Sequence, residues 1–162
     1  MREPVFTETL QIAMVVRDLE ATMRTYVEDY GIGPWQIYEF RPDNVARLGE
    51  DGPEIDSACR LALTRVGSVF WELIQPLDDR SIYAEFLASK GEGVHHVAVG
   101  GRGFEETLAV ARANGRRVIH GGVYDGATFA YLSTDEDLKV VTEIFDWPDG
   151  LEQEPDAVYP PA

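Results

Sequence analysis

The sequence contains very little cysteine and few basic residues. Cys59 is the only cysteine, so the chain can form neither an intrachain disulfide, nor a thiolate zinc site, nor a CxxC redox site. Lysine and arginine number 14 against 29 aspartates and glutamates, which gives a net charge of -15. Such an excess of negative charge repels nucleic acid phosphates and anionic membrane surfaces at long range. We therefore expect neither nucleic acid nor a membrane as a partner.

Long apolar segments are also missing. No apolar run reaches the roughly 18 residues that a membrane helix needs, and the start "MREPVFTETLQIAMVV" lacks the basic and apolar regions of a secretion signal. We therefore expect a cytoplasmic protein. Its 162 residues, 44% of them hydrophobic, suit one domain or two fused small modules with a sizeable core.

An internal repeat is the strongest pattern in the sequence. The segment "QIAMVVRDLEATM" from Gln11 aligns with "HVAVGGRGFEETL" from His96, and each copy predicts a strand, a tight turn and an amphipathic helix. Further along, "VFWELIQP" aligns with "VVTEIFDW", so that Glu72 corresponds to Glu143. Three strand-like runs follow the helix in each copy. The repeat therefore predicts an α+β fold made of two βαβββ modules.

The repeat also sets the domain organisation. We expect the first module at residues 8–77, a helical linker at 78–93, the second module at 94–147, and an irregular, acidic, proline-rich tail at 148–162. The first copy is longer because of the segment 41–56, "RPDNVARLGEDGPEID", which predicts a long loop between strands. A loop of this length is either a functional lid or disordered, and the sequence leaves both open.

Four polar residues are equivalent under the repeat: Gln11 and His96 on the first strands, and Glu72 and Glu143 on the last. Either glutamate alone would ordinarily be solvated or paired with an arginine, and a single strand histidine would ordinarily be a hydrogen-bonded core residue. Two carboxylates among apolar strand neighbours raise each other's pKa or require a cation. Imidazole, carboxylate and amide groups together suit zinc and other first-row divalent ions.

These motifs resemble the vicinal oxygen chelate superfamily, which includes glyoxalase I, methylmalonyl-CoA epimerase, extradiol dioxygenases and bleomycin-resistance proteins. The first strand and helix, "QIAMVVRDLEATMRTYVEDYGIGPW", are similar to those of the superfamily, and "IQPLDDRSIYAEFLASKGEGVHHVAV" resembles the epimerase linker and fifth strand. The resemblance implies a cupped mixed sheet around one site. It also implies a divalent metal, either Zn, Ni, Co, Mn or Fe, held by the four repeat-equivalent residues.

The resemblance implies proton transfer next to a carbonyl, catalysed by an isomerase, epimerase or lyase. Glu143 is then the first candidate for the base, and Glu72 could act on the opposite face of the substrate. Epimerases of this group usually have a histidine where this chain has Gln11, whereas glyoxalase I-like members have a glutamine. The substrate, a small acid or an acyl thioester, is therefore open. The alternative is a metal-free drug-binding protein of the bleomycin-resistance type.

Other expectations concern the surroundings of the site. By the repeat, His96 faces the cup, whereas His95 faces away, toward solvent or a helix. Half-barrel modules expose sheet edges that need covering, and the family often dimerises, so we expect a homodimer. Aromatic strand residues are more often core than pocket, but several could line a substrate pocket. The candidate pocket residues are Trp35, Tyr38, Trp71, His120 and Tyr131.

Overall fold

A computed structural model describes residues 3–161 of the chain. The first module contains β1 Phe6–Val15, α1 Leu19–Tyr30, β2 Trp35–Phe40, β3 Val45–Arg47, β4 Cys59–Val66 and β5 Val69–Pro76. The linker helix is α2 Ile82–Lys90. The second module contains β6 Gly93–Gly101, α3 Phe104–Ala113, β7 Val118–Tyr124, β8 Ala127–Leu132, α4 Asp135–Leu138 and β9 Val141–Asp146. A short strand, β10 Ala157–Tyr159, follows.

Local sequence sets the two ends of α1. Asp18 accepts a hydrogen bond from the backbone N–H of Ala21 at 2.9 Å, which satisfies one of the free donors at the start of the helix. Gly31 ends the helix with φ 64, in the left-handed region that glycine adopts without a steric penalty. These two signals fix the length of the helix that covers the outer face of the first module.

The strands of the described residues form one mixed sheet in the order β10-β2-β4-β5-β1-β6-β9-β8-β7-β3. Strands β1 and β6, the first of each module, pair antiparallel at its centre. The repeat is visible in the register, because Ala13 lies opposite Glu72 across parallel strands, just as Ala98 lies opposite Glu143. The predicted α+β fold of two βαβββ modules is thus confirmed.

Two segments are more regular than the sequence suggests. The loop segment 41–56 contains β3, which leaves its own module and pairs with β7 at the far edge of the sheet, so that Val45 lies opposite Tyr124. The tail is not wholly irregular, because β10 pairs with the outer edge of β2 and Tyr159 lies opposite Trp35. The physical reason is the same for both segments. An open sheet edge presents unpaired backbone groups that a nearby extended segment can satisfy.

The core is divided between the two faces of the sheet. One cluster fills the concave side and includes Tyr38, Phe129 and Tyr131. A second cluster packs under α1 and includes Leu19 and Trp35. A third cluster packs under α3. Within residues 3–161, no helix is both long enough and apolar enough to span a membrane.

Candidate functional site

The candidate site is built on the four central strands of the sheet. Gln11 lies on β1, Glu72 on β5, His96 on β6 and Glu143 on β9, and these strands are neighbours. All four side chains are buried, with His96 fully inaccessible to solvent and Glu143 exposed by only 3%. The structure therefore brings together all four residues that the repeat singles out.

The side chains of this cluster contact one another directly. Gln11 Nε2 donates a hydrogen bond to Glu72 Oε2 at 2.7 Å. His96 Nε2 lies 3.0 Å from Glu143 Oε2 and 3.4 Å from Glu72 Oε2. One imidazole nitrogen thus stands between two carboxylates. We name these four residues, Gln11, Glu72, His96 and Glu143, the central cluster.

The central cluster leaves two buried polar atoms without hydrogen bonds. Although His96 Nε2 and Glu143 Oε2 are close, neither makes a well-directed hydrogen bond with any described residue. Buried polar atoms are almost always satisfied, so an exception at this position points to an additional partner. A cation between the two carboxylates would satisfy both atoms.

Burial and mutual charge set the pKa values of the cluster. Burial alone would lower the pKa of His96, but the carboxylates of Glu143 and Glu72 together outweigh it and raise the pKa to about 9. Burial raises the pKa of Glu143 to about 7, against the opposing effect of the His96 imidazolium. The two groups titrate as a pair, and they hold a proton between them at neutral pH.

A divalent metal fits the central cluster by donor type but not by its present arrangement. Among residues 3–161, no group of three or more histidine, cysteine, aspartate or glutamate side chains is arranged to hold a metal ion. Gln11 also presents its NH₂ group to Glu72, and an amide NH₂ group cannot bind a cation. A half-turn of this amide would present its oxygen instead. His96 Nε2 is separated from the Glu143 and Glu72 oxygens by 3.0 Å and 3.4 Å. These separations suit donor atoms that each bind one shared ion at about 2.0–2.2 Å.

The central cluster opens into a large cavity on the concave face of the sheet, with a volume of about 740 Å³. Gln11, Glu72 and Glu143 all contribute to its lining, whereas His96 lies beneath it. Aromatic side chains are the commonest lining group. Two of these side chains, Phe40 and Tyr124, stack on each other with ring centroids 4.2 Å apart. The cavity therefore offers a largely apolar chamber with two carboxylates at its base.

Comparison with known proteins assigns the family. A sequence model of the Glyoxalase/Bleomycin resistance protein/Dioxygenase superfamily matches residues 10–131. The chain belongs to this superfamily. The predicted resemblance is thereby confirmed, and the match spans three of the four cluster residues. Glu143 lies beyond the matched range, so its place in the central cluster rests on the fold itself.

Solved structures with a similar fold include methylmalonyl-CoA epimerases and a hypothetical protein. Methylmalonyl-CoA epimerase from Mycobacterium tuberculosis superposes with a TM-score of 0.68 at 19% identity, over 91% of this chain and 93% of that one. A variant of the Streptomyces coelicolor epimerase, in complex with 2-nitronate-propionyl-CoA, has a TM-score of 0.66 at 25% identity, over 91% and 99%. A hypothetical protein from Bacillus halodurans has a TM-score of 0.65 at 23% identity, over 90% and 98%. No curated protein matches the chain.

The predicted pocket residues divide between the two faces of the sheet. Tyr38 and Tyr131 line the cavity. His120 is half-buried beside the Tyr131 and Tyr83 rings, outside the cavity lining, and burial lowers its pKa to about 4.

The expectation that Trp35 and Trp71 line the pocket is corrected, because both pack in the cluster under α1. Strand alternation explains the correction for each residue. Trp71 is adjacent to Glu72 and must point the other way, and Trp35 is three residues from Tyr38.

His95 and Tyr83 lie next to the central cluster, with the His95 ring between His96 and the linker helix. The ring of His95 packs edge-on against Tyr83 and Phe86 of α2 and lies 6.0 Å from the Tyr131 ring, so the expectation that His95 faces away from the cup is corrected. The pairing of β1 with β6 skips His95, and a bulge of this kind lets two neighbouring residues share one face of the sheet. The Nδ1 of His95 lies 3.0 Å from Nδ1 of His96. Burial, reinforced by His96, lowers the pKa of His95 to about 3, which keeps it neutral and able to accept a hydrogen bond. This contact favours a proton on Nδ1 of His96 and leaves its Nε2 directed at the cluster.

Sequence reasoning missed several residues of the cavity. The Tyr83 hydroxyl, on the linker helix, lies 2.7 Å from the hydroxyl of Tyr131, and both tyrosines line the cavity. Arg65, Trp147 and Gln153 also contribute to the lining. The sequence carries a signal for Arg65, which shares the strand face of Leu61 and Leu63, but none for Tyr83 or the tail residues, whose positions depend on distant packing.

Proposed function

We propose that the protein is a metal-dependent isomerase, epimerase or lyase that moves a proton next to the carbonyl of a small acid or acyl thioester. The observation that carries the proposal is the central cluster, with two buried carboxylates and one imidazole at the base of an apolar cavity. Buried carboxylates without a structural ion pair to lysine or arginine cost stability, so their presence favours a functional role.

Each cluster residue has a distinct role in this proposal. Gln11, through its amide oxygen, would hold the ion together with Glu72, His96 and Glu143. A bound divalent ion would polarise the substrate carbonyl and make the neighbouring C–H more acidic. The Glu143 carboxylate accepts the proton from that carbon, while Glu72 can exchange a proton on the opposite face. Return of the proton to the other face gives epimerisation, and return to another atom gives isomerisation.

The aromatic side chains that line the cavity contribute to the proposed reaction by excluding water from the central cluster. Tyr131 lies against the His96 ring, with centroids 4.5 Å apart, and its hydroxyl is held by Tyr83. A site with little water strengthens the attraction between charged groups and developing charge. The solved epimerases support the same reaction class, because one of them was crystallised with 2-nitronate-propionyl-CoA in a related fold at 25% identity.

A metal-free binding protein is the second candidate. The observation in its favour is the direct Gln11–Glu72 hydrogen bond, which satisfies one carboxylate oxygen without an ion. The net charge of -15 and the aromatic cavity would suit a planar cationic ligand. This candidate predicts ligand binding without turnover.

Deuterium exchange tests the proposal. We expect the protein reconstituted with nickel, cobalt, zinc or manganese to exchange the proton next to the carbonyl of at least one keto acid or acyl thioester in D₂O, as followed by NMR. Chelation should remove the activity and re-addition of the ion should restore it. Tight binding of a cationic aromatic compound, with no exchange under any metal, would instead support the metal-free candidate.

A further inference from the structure

One arginine stands out in the lining of the cavity. Among the described residues that form this lining, Arg65 is the only one with a cationic side chain. The ion pairs of the described residues involve other arginines and do not include it. Other arginines of the described residues also lie outside these ion pairs, but Arg65 differs from them because it lines the cavity.

The position of Arg65 is fixed by the sheet. Its guanidinium lies over the Phe70 ring, 4.5 Å from the centroid, and Arg65 and Phe70 are paired across β4 and β5. The pair Leu63 and Glu72 lies two residues further along the same strands. Residues two apart on a strand share a face and are separated by about 7 Å. Arg65 is thus exposed at the rim, and its backbone lies about 7 Å along β4 from Leu63, the residue paired with Glu72.

The space between Arg65 and the central cluster is suited to a planar ring. Phe70 lies on one side, and Tyr38, Phe40, Tyr124 and Phe129 form the aromatic wall of the same cavity. Rings of this kind bind flat apolar groups through stacked and edge contacts. An aromatic ring placed here would bridge the cation at the rim and the carboxylates at the base.

The charge of the cavity limits how many anionic groups a ligand can carry. The lining offers one cation against three carboxylates, those of Glu72, Glu143 and Glu152. An acyl-CoA carries several phosphate charges, and the described lining provides no basic cluster to neutralise them. A ligand with a single anionic group matches one arginine.

From these observations we propose that the cavity binds a monoanionic aromatic carbonyl compound. The carboxylate pairs with Arg65, the ring lies against Phe70 and the aromatic wall, and the carbonyl reaches the central cluster. This inference rests on the proposed function for the position of the carbonyl, and it narrows the substrate class to small aromatic acids rather than acyl-CoA thioesters.

Calorimetric titration with matched probes tests the inference. 4-Acetylbenzoate carries a carbonyl and a carboxylate at opposite ends of a benzene ring, acetophenone lacks the carboxylate, 4-oxopentanoate lacks the ring, and propionyl-CoA represents the thioesters. We expect 4-acetylbenzoate to bind most tightly. The Arg65→Gln variant should lose a factor of about three to ten in its affinity for 4-acetylbenzoate and little in its affinity for acetophenone.

The control is Arg24→Gln, which removes the same charge from an exposed position on α1 and should leave all affinities unchanged. Equal affinity for 4-acetylbenzoate and acetophenone, tighter binding of propionyl-CoA, or no binding of any probe would overturn the inference. Failure of the proposed function looks different. In that case 4-acetylbenzoate still binds in an Arg65-dependent manner, but its methyl protons do not exchange with D₂O.

Discussion

The Glu143→Gln variant is expected to exchange the proton next to a substrate carbonyl about 10²–10⁴ times more slowly than the unmodified protein. Glutamine has nearly the same shape and keeps an oxygen that can bind an ion, but it cannot accept a proton from carbon. The variant therefore separates the role of Glu143 as a base from its role in holding the cluster together. Exchange rates by NMR, together with metal content by mass spectrometry, measure the two roles independently.

A matched control for this variant is Glu105→Gln. Glu105 is exposed in the first turn of α3, outside the cavity lining, so its replacement should leave the exchange rate unchanged. If Glu143→Gln retains both its metal and a full exchange rate, Glu143 is not the base. Glu72 would then be the remaining carboxylate of the cluster to test.

The Trp35→Ala variant is expected to lose about 3–5 kcal/mol of unfolding free energy. Trp35 is fully buried under α1, its ring packs against Tyr26 with centroids 5.4 Å apart, and its Nε1 donates a hydrogen bond to the backbone oxygen of Ile32 at 2.9 Å. Removal of the indole leaves a cavity and an unsatisfied carbonyl. Urea unfolding followed by circular dichroism measures the loss.

Trp147→Ala provides the comparison for Trp35. Trp147 is 49% exposed and lies at the rim of the cavity, so its removal should cost less than about 1 kcal/mol. The two tryptophans should therefore differ in their effect on stability, since Trp35 supports the fold, whereas Trp147 lines the cavity and is half exposed. A stable Trp35→Ala protein with impaired ligand binding would contradict the position of Trp35 on the outer face.

The central cluster could be predicted because the internal repeat encodes its register. Once Gln11 aligns with His96 and Glu72 with Glu143, the same strand pairing in each module brings all four to the middle of the sheet. No knowledge of distant contacts is needed, since the repeat carries the same local information twice. The fold class follows from the same alignment.

The pocket residues could be predicted only in part. Strand alternation, applied strictly, would have placed Trp71 opposite Glu72 and separated Trp35 from Tyr38. Other features depend on long-range packing that no local pattern carries. Examples are the crossing of β3 to β7, the pairing of β10 with β2, and the approach of Tyr83 to Tyr131.

The structure of the tail could also not be predicted from the sequence. Its composition predicts an irregular segment, yet Gln153 Nε2 donates a hydrogen bond to the backbone oxygen of Tyr124 at 2.9 Å, and Asp156 accepts one from the backbone of Glu39 at 2.8 Å. These contacts hold the tail beside the cavity, to whose lining Glu152 and Gln153 contribute. The homodimer and the cytoplasmic location stay predictions.

Metal content tests the central claim most directly. We predict that protein purified without an affinity tag and reconstituted with a divalent metal binds about one ion per chain, and that a His96→Ala protein prepared in parallel does not. Circular dichroism of both proteins shows whether the fold is retained. A folded wild-type protein that binds no nickel, cobalt, zinc or manganese, or a His96→Ala protein that binds as much as the wild type, would contradict the account.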